Sequence, residues 1–132
     1  MIGIDTNMLL RLFTDDSPPQ VAAAKAFFDR QPGASIRVSC IVLTELVWTL
    51  RRHYKLSKPL IIEAVKAMLS RRELVIEGRA EVLEALRFYE YGGADFGDYF
   101  IGLLNRANGA HPTYTFDRDA AGNESLFRSI AP

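Results

Sequence analysis

Cysteine is almost missing from this chain. Cys40 stands alone, so no internal disulfide can hold the fold together, and its apolar surroundings suggest a small core residue. Histidine is nearly as scarce, and neither His53 nor His111 has a partner at metal-ligand spacing, which argues against a zinc site of thiolate and imidazole. Nor does either suit a general base, since His53 belongs to a basic helix end and His111 precedes a proline. No glycine-rich phosphate loop is present, Gly92-Gly93 being a turn, and no serine or cysteine has the setting of an activated nucleophile. Net charge is also lacking. Sixteen Lys and Arg cancel sixteen Asp and Glu, so overall charge gives no pointer to nucleic acid, although a local basic patch would suffice. There is no membrane-length apolar run, signal peptide, repeat, low-complexity tract or linker; the opening apolar segment is broken at Asp5 and has no cationic lead. The expectation is a cytoplasmic protein with no membrane partner.

What is present is 132 residues, about half of them hydrophobic, which is enough for one core and leaves little room for a second; a single domain over 1–132 is expected. Met1 to Ile4 has the composition of a buried strand. Apolar Met8, Leu9, Leu10, Leu12 and Phe13 make 6–13 a short buried helix. Ser17 with Pro18 and Pro19 predicts a cap and first turn for a helix running to about Arg30. A short β-like run follows in GASIRVS, and Ser39 has the look of the next cap. The helix CIVLTELVWTLRRHY is apolar until its basic end, where cations suit the helix dipole. Ser57-Lys58-Pro59 opens another helix, and Glu73 to Ile76 is a strand. Arg79 to Tyr91 is a helix with Val82, Leu83, Leu86 and Tyr89 or Tyr91 as its buried stripe. Asp95 to Ala107 is a helix closed by Asn108-Gly109, Pro112 to Phe116 is a strand, and a poorly patterned tail ends the chain. Strands alternating with helices imply a mostly parallel sheet, with a site beyond the carboxyl ends of its strands.

Two strands run straight into acids there, Asp5 and Asp117. Each has a common structural role as a helix cap or turn residue, and the repetition shifts the balance modestly toward a shared site. Glu45 has helical neighbours Ile41, Val42, Trp48 and Thr49, which would point it inward or into a cleft, where a carboxylate needs a cation or donors. A salt bridge to an arginine is the plainer explanation. Asp95 suits an N-cap and Asp98 the position that reaches back to it. Singly, each acid is more often structural. Four delivered to one sheet edge would be hard to keep without a cation, and hard oxygen ligands suit Mg²⁺ or Mn²⁺. Arg51, Arg52 and Lys55, around Tyr54, could follow an RNA backbone, though such a run is more often a solvated helix end.

Asp5-Thr6-Asn7 after the opening strand, LTEL around Glu45, DFGDYFIGLL around Asp98 and TFDRD around Asp117 together resemble the PIN-domain family. Their order and the chain length resemble its toxin ribonucleases of the VapC type. The resemblance spans residue 1 to about residue 127. It implies a three-layer α/β/α sandwich with a mostly parallel central sheet and a magnesium-dependent endoribonuclease, with Mn²⁺ as an alternative ion. By motif, Asp5, Glu45 and Asp98 match the metal-binding acids and Asp117 the fourth, most variable one. Asp95 matches an extra acid seen in many relatives. Thr6, Asn7 and Thr115 match positions that orient the acids. Gly102 stands where relatives often have alanine, and Phe127 is the candidate for a phenylalanine usually nearer the last acid. The family further implies an RNA substrate, a homodimer, and a cognate antitoxin whose tail fills the active-site groove, with the helices at 39–54 and 58–70 as a clamp for it. Two rivals are a catalytically inactive binding module and a phosphotransferase of the haloacid-dehalogenase type. The latter wants an acid where Asn7 stands.

Overall fold

In a computed structural model, which describes residues 1–131, the chain divides into two compact units, Met1–Glu77 and Gly78–Pro132. The first holds β1 (Ile2–Gly3), α1 (Thr6–Leu10), α2 (Pro18–Asp29), β2 (Ile36–Val38), α3 (Cys40–Arg52), α4 (Lys58–Leu69) and β3 (Leu74–Ile76). Its strands lie in the order β1-β2-β3 and pair in parallel, Ile2 opposite Ile36 and Ile36 opposite Leu74. Parallel neighbours need long crossovers, and the intervening helices supply them. In β2, Ile36 and Val38 are buried on one face while Arg37 points out on the other.

The first strand departs from expectation. It is a two-residue edge strand with Ile2 44% exposed, not a buried one, because it has a hydrogen-bonded neighbour on one side only. The helix expected over 6–13 stops at Leu10. Beyond it the amides of Leu12 and Phe13 bond three residues back, to the carbonyls of Leu9 and Leu10, which tightens the chain into turns. The core of this unit is built by Leu43, Leu46, Val47 and Leu50 of α3 and by Ile61, Val65, Met68 and Leu69 of α4, with Ala24 and Phe28 of α2. Glu73 is buried, and it is tolerated because Arg71 pairs with it; the same guanidinium lies 5.6 Å over the Phe28 ring.

Cys40 is half-buried at the start of α3 and so is not the core residue its neighbours suggested. Its amide donates to Glu77 Oε1 at 2.7 Å, while Arg37 pairs with Glu77 Oε2 at 2.8 Å. That amide, first, and then the thiol and Arg37 hold the Glu77 carboxyl below its usual range. Burial and the adjacent Glu77 push the thiol itself up to about 11, so it stays protonated at neutral pH. A thiol so placed is a poor nucleophile.

The second unit holds α5 (Arg79–Tyr91), α6 (Phe96–Ala107), β4 (Thr113–Thr115), α7 (Arg118–Ala121) and β5 (Phe127–Ser129). α5 begins and ends where the sequence predicted, but its buried stripe is Val82, Ala85, Leu86 and Tyr89. Leu83 and Tyr91 fall off that i, i+3, i+4, i+7 line and are exposed. The stripe packs on Phe96, Tyr99, Phe100 and Leu103 of α6, where Tyr89 meets Phe96 edge-on at 6.3 Å and Phe96 lies 5.6 Å from Phe100. The poorly patterned tail contains a strand: β5 pairs in parallel with β4, Thr113 opposite Phe127. Gly102 makes that packing possible, since a Cβ there would lie 2.9 Å from the Phe127 ring and 3.2 Å from Leu126 Cβ.

Two outcomes follow for stability. Glu77→Gln keeps the shape and removes the charge at the α3 N-terminus, at a cost of about 1 kcal/mol at pH 7 once solvent screening is allowed for. Because the native carboxyl is depressed from 4.5, its contribution is present above that value and is lost as pH falls through the native pKa. Denaturant titrations of both proteins should therefore differ at pH 7 and converge in acid; a constant gap would refute the charge argument. Gly102→Ala gains up to about 1 kcal/mol of helix propensity but overpacks against Phe127 by about 1–3 kcal/mol, so its melting temperature should fall. A rise would mean that the ring moves aside freely.

Candidate functional site

In the first unit Asp5 follows β1 and caps α1, its Oδ1 accepting the Met8 amide at 2.9 Å. The capping role is thus real. It also fixes the carboxylate by one oxygen, and the other makes no hydrogen bond to a described residue. Glu45 behaves in the same way. Its Oε1 accepts the Thr6 hydroxyl at 2.9 Å, so residues from α1 and α3 meet at this carboxylate.

Glu45 is exposed, which removes the inward orientation from the two, inward or into a cleft, that its neighbours suggested. Ile41 and Trp48, which frame it on α3, are themselves 72% and 63% exposed, so an apolar setting in sequence marked an outer face. Asn7 does not reach Asp5. Its amide is taken up by Gln20 and by Arg11, whose guanidinium donates to Asn7 Oδ1 at 2.9 Å, to Gln20 Oε1 at 2.9 Å and to Asp16 Oδ1 at 2.6 Å. The Tyr54 hydroxyl donates to the other Asp16 oxygen at 2.7 Å. That bond and Arg11 hold the Asp16 carboxyl below its usual range. The network escaped the sequence reading; the four-residue spacing of Asn7 and Arg11 was its one local sign.

Of the cations considered for RNA, Arg51 donates to the Leu56 carbonyl at 2.9 Å and so closes the end of α3, while Lys55 is exposed at a residue with φ of 58°.

In the second unit Asp117 follows β4 and caps α7, its Oδ1 accepting the amides of Asp119 at 2.8 Å and Ala120 at 3.2 Å. The Thr115 hydroxyl accepts the Asp117 amide at 2.9 Å and fixes the turn. Asp95 occupies the N-cap position of α6, though its side chain makes no capping bond. Asp98, in the first turn, is half-buried. Burial, first, and then the charges of Asp117 and Asp95 raise its carboxyl above the usual range, against a backbone hydrogen bond at Asp95. Like charges brought near a partly desolvated acid are held at a cost that a cation would relieve.

No three or more His, Cys, Asp or Glu form a metal-binding group among the described residues. The donors present are all carboxylate or hydroxyl oxygens, the chemistry that suits a hard divalent ion rather than zinc. Each of Asp5, Glu45 and Asp117 is oriented through one oxygen by a neighbouring donor, as ligands commonly are.

The family model described as the PIN domain matches residues 2–123. A search of curated proteins gives no match. Among solved structures, the chain is similar to VapC20 of Mycobacterium tuberculosis, described as a sarcin-ricin loop cleaving toxin, at 20% identity over 92% of this chain and 94% of that one, with a TM-score of 0.46. The helices and parallel strand pairs of both units accord with a PIN-like α/β fold. With its family model reaching from β1 to beyond α7, the chain belongs to the PIN-domain family.

Proposed function

We propose that the protein is a metal-dependent endoribonuclease, and that it is the toxin of a toxin–antitoxin pair. Its membership of the PIN-domain family carries the reading, and the oriented carboxylates support it. Asp5, Glu45 and Asp98 would hold a Mg²⁺ or Mn²⁺ ion, with Asp117 supporting and Asp95 adding charge. Bound there, the ion would supply an activated water and offset charge developing on the scissile phosphate.

The chain's own contribution is to keep the acids in place. The Met8 amide fixes Asp5, and the Thr6 hydroxyl fixes Glu45, so neither carboxylate must be ordered when substrate arrives. The amides of Asp119 and Ala120 do the same for Asp117. Burial and the nearby charges of Asp117 and Asp95 disfavour the ionised form of Asp98, so a cation there would favour it.

A cognate antitoxin, a homodimeric state and a cytoplasmic setting belong to the same proposal. No helix among the described residues is long and apolar enough to cross a membrane.

Total cellular RNA incubated with the antitoxin-free protein should be cut at discrete sites with Mg²⁺ or Mn²⁺ and spared with chelator. Asp98→Asn should lower the rate by about 100-fold or more, the scale seen when a charge-stabilising group is lost. Equal cutting by both proteins would assign the activity to a contaminant. Intact RNA in the presence of folded, metal-replete protein would overturn the reading in favour of a binding module.

A further inference from the structure

The second unit carries a cavity of about 680 Å³ that the four acids do not use, lined in part by Arg87, Tyr91, Gly93, Asp119, Asn123 and Glu124. It brings the end of α5 and the turn after it together with α7 and the segment beyond. Tyr91 is 85% exposed, so its ring is open to a stacking partner. Gly93 leaves room for an acid: a Cβ there would stand 3.3 Å from Asp119 Oδ1. Asn123 is oriented by its carbonyl oxygen, which accepts from the Ser125 amide at 3.1 Å and from its hydroxyl.

Around this cavity the Arg87 guanidinium, the carboxylates of Asp119 and Glu124 and the Asn123 amide N–H₂ make no hydrogen bond or ion pair with another described residue. Folding therefore leaves an exposed ring, acceptor-only carboxylates, one amide donor and one guanidinium uncommitted at one place.

We propose that this cavity is a guanine-nucleotide subsite, through which the protein reads a base of its RNA substrate; the proposal rests on the ribonuclease reading above. A carboxylate only accepts, so it needs a ligand edge with adjacent donors. Among the four RNA bases guanine alone presents two neighbouring donors, N1–H and N2–H₂, beside an acceptor, O6. The acids would accept the first two and Asn123 would donate to the third. The Watson–Crick edges of adenine, cytosine and uracil each turn an acceptor toward the carboxylates. Tyr91 supplies the stacking face and Arg87 the partner for the nucleotide's phosphate. A cationic peptide would also satisfy the acids and the ring, but it would set a like charge beside Arg87.

The test is a calorimetric or NMR titration of the whole protein with GMP, AMP, CMP and UMP, alongside cleavage of RNA oligonucleotides. GMP should bind about tenfold more tightly than the other three. Tyr91→Ala should weaken it by about tenfold and Tyr91→Trp should restore it. Asp119→Asn with Glu124→Gln should erase the preference for GMP and, in parallel, any preference for cleavage near guanine.

Equal affinity for the four nucleotides, or a preference for AMP, overturns the assignment. So does displacement of GMP from the cavity by arginine amide at lower concentration than GMP itself, which would mark a peptide site. If RNA is cleaved but no nucleotide binds, the subsite is refuted and the nuclease stands. If GMP binds as described and no RNA is cleaved, the nuclease reading fails and the guanine site stands.

Discussion

A strand that ends at a helix leaves amide protons with no partner in the first turn, and this chain answers the problem with a side-chain oxygen placed at the junction. Asp5 does so between β1 and α1, Ser39 between β2 and α3, and Asp117 between β4 and α7. Where the residue is serine, the junction is only structural. Where it is aspartate, the same bond leaves a charged group held in one orientation, with an oxygen still able to accept. The candidate site grows from that constraint, with Thr6, the residue after the first cap, orienting Glu45 in its turn.

The energetic balance of the two units differs in kind. Ion pairs occur in both, Arg71 with Glu73, Arg37 with Glu77 and Arg11 with Asp16 in the first and Arg106 with Glu84 in the second, and the difference lies in the acids that gather without a cation. In the second, Asp98, Asp117 and Asp95 lie close enough that their charges oppose one another's ionisation at Asp98. A fold held mainly by the aromatic packing of α5 on α6 can carry such a cost, because that packing does not depend on the acids.

Most element positions were legible in the sequence because they are written locally. Pro18 and Pro19 open α2, Ser39 caps α3 with a bond to the Val42 amide, and the periodicity of 79–91 gives α5 its bounds. Asp5 and Asp117 were legible for the same reason, as acids at the ends of apolar runs. What the sequence hid was set by contacts far along the chain. β5 is three residues long and exists through its pairing with β4, so it has no period of its own to read. Ile41 and Trp48 beside Glu45 gave a false sign of burial, since both lie on the outer face of α3. The bond from Thr6 to Glu45 spans 39 residues, and nothing in either motif announces it.

The double use of Asp5 and Asp117 has a genetic consequence. A helix cap requires an acceptor oxygen, which an amide offers as well as a carboxylate; a site for a cation requires the charge, which an amide lacks. Aspartate and asparagine codons differ at a single nucleotide. The chain can therefore lose its charge at either position in one mutational step while keeping the cap, and with the cap the local fold and the surface around it.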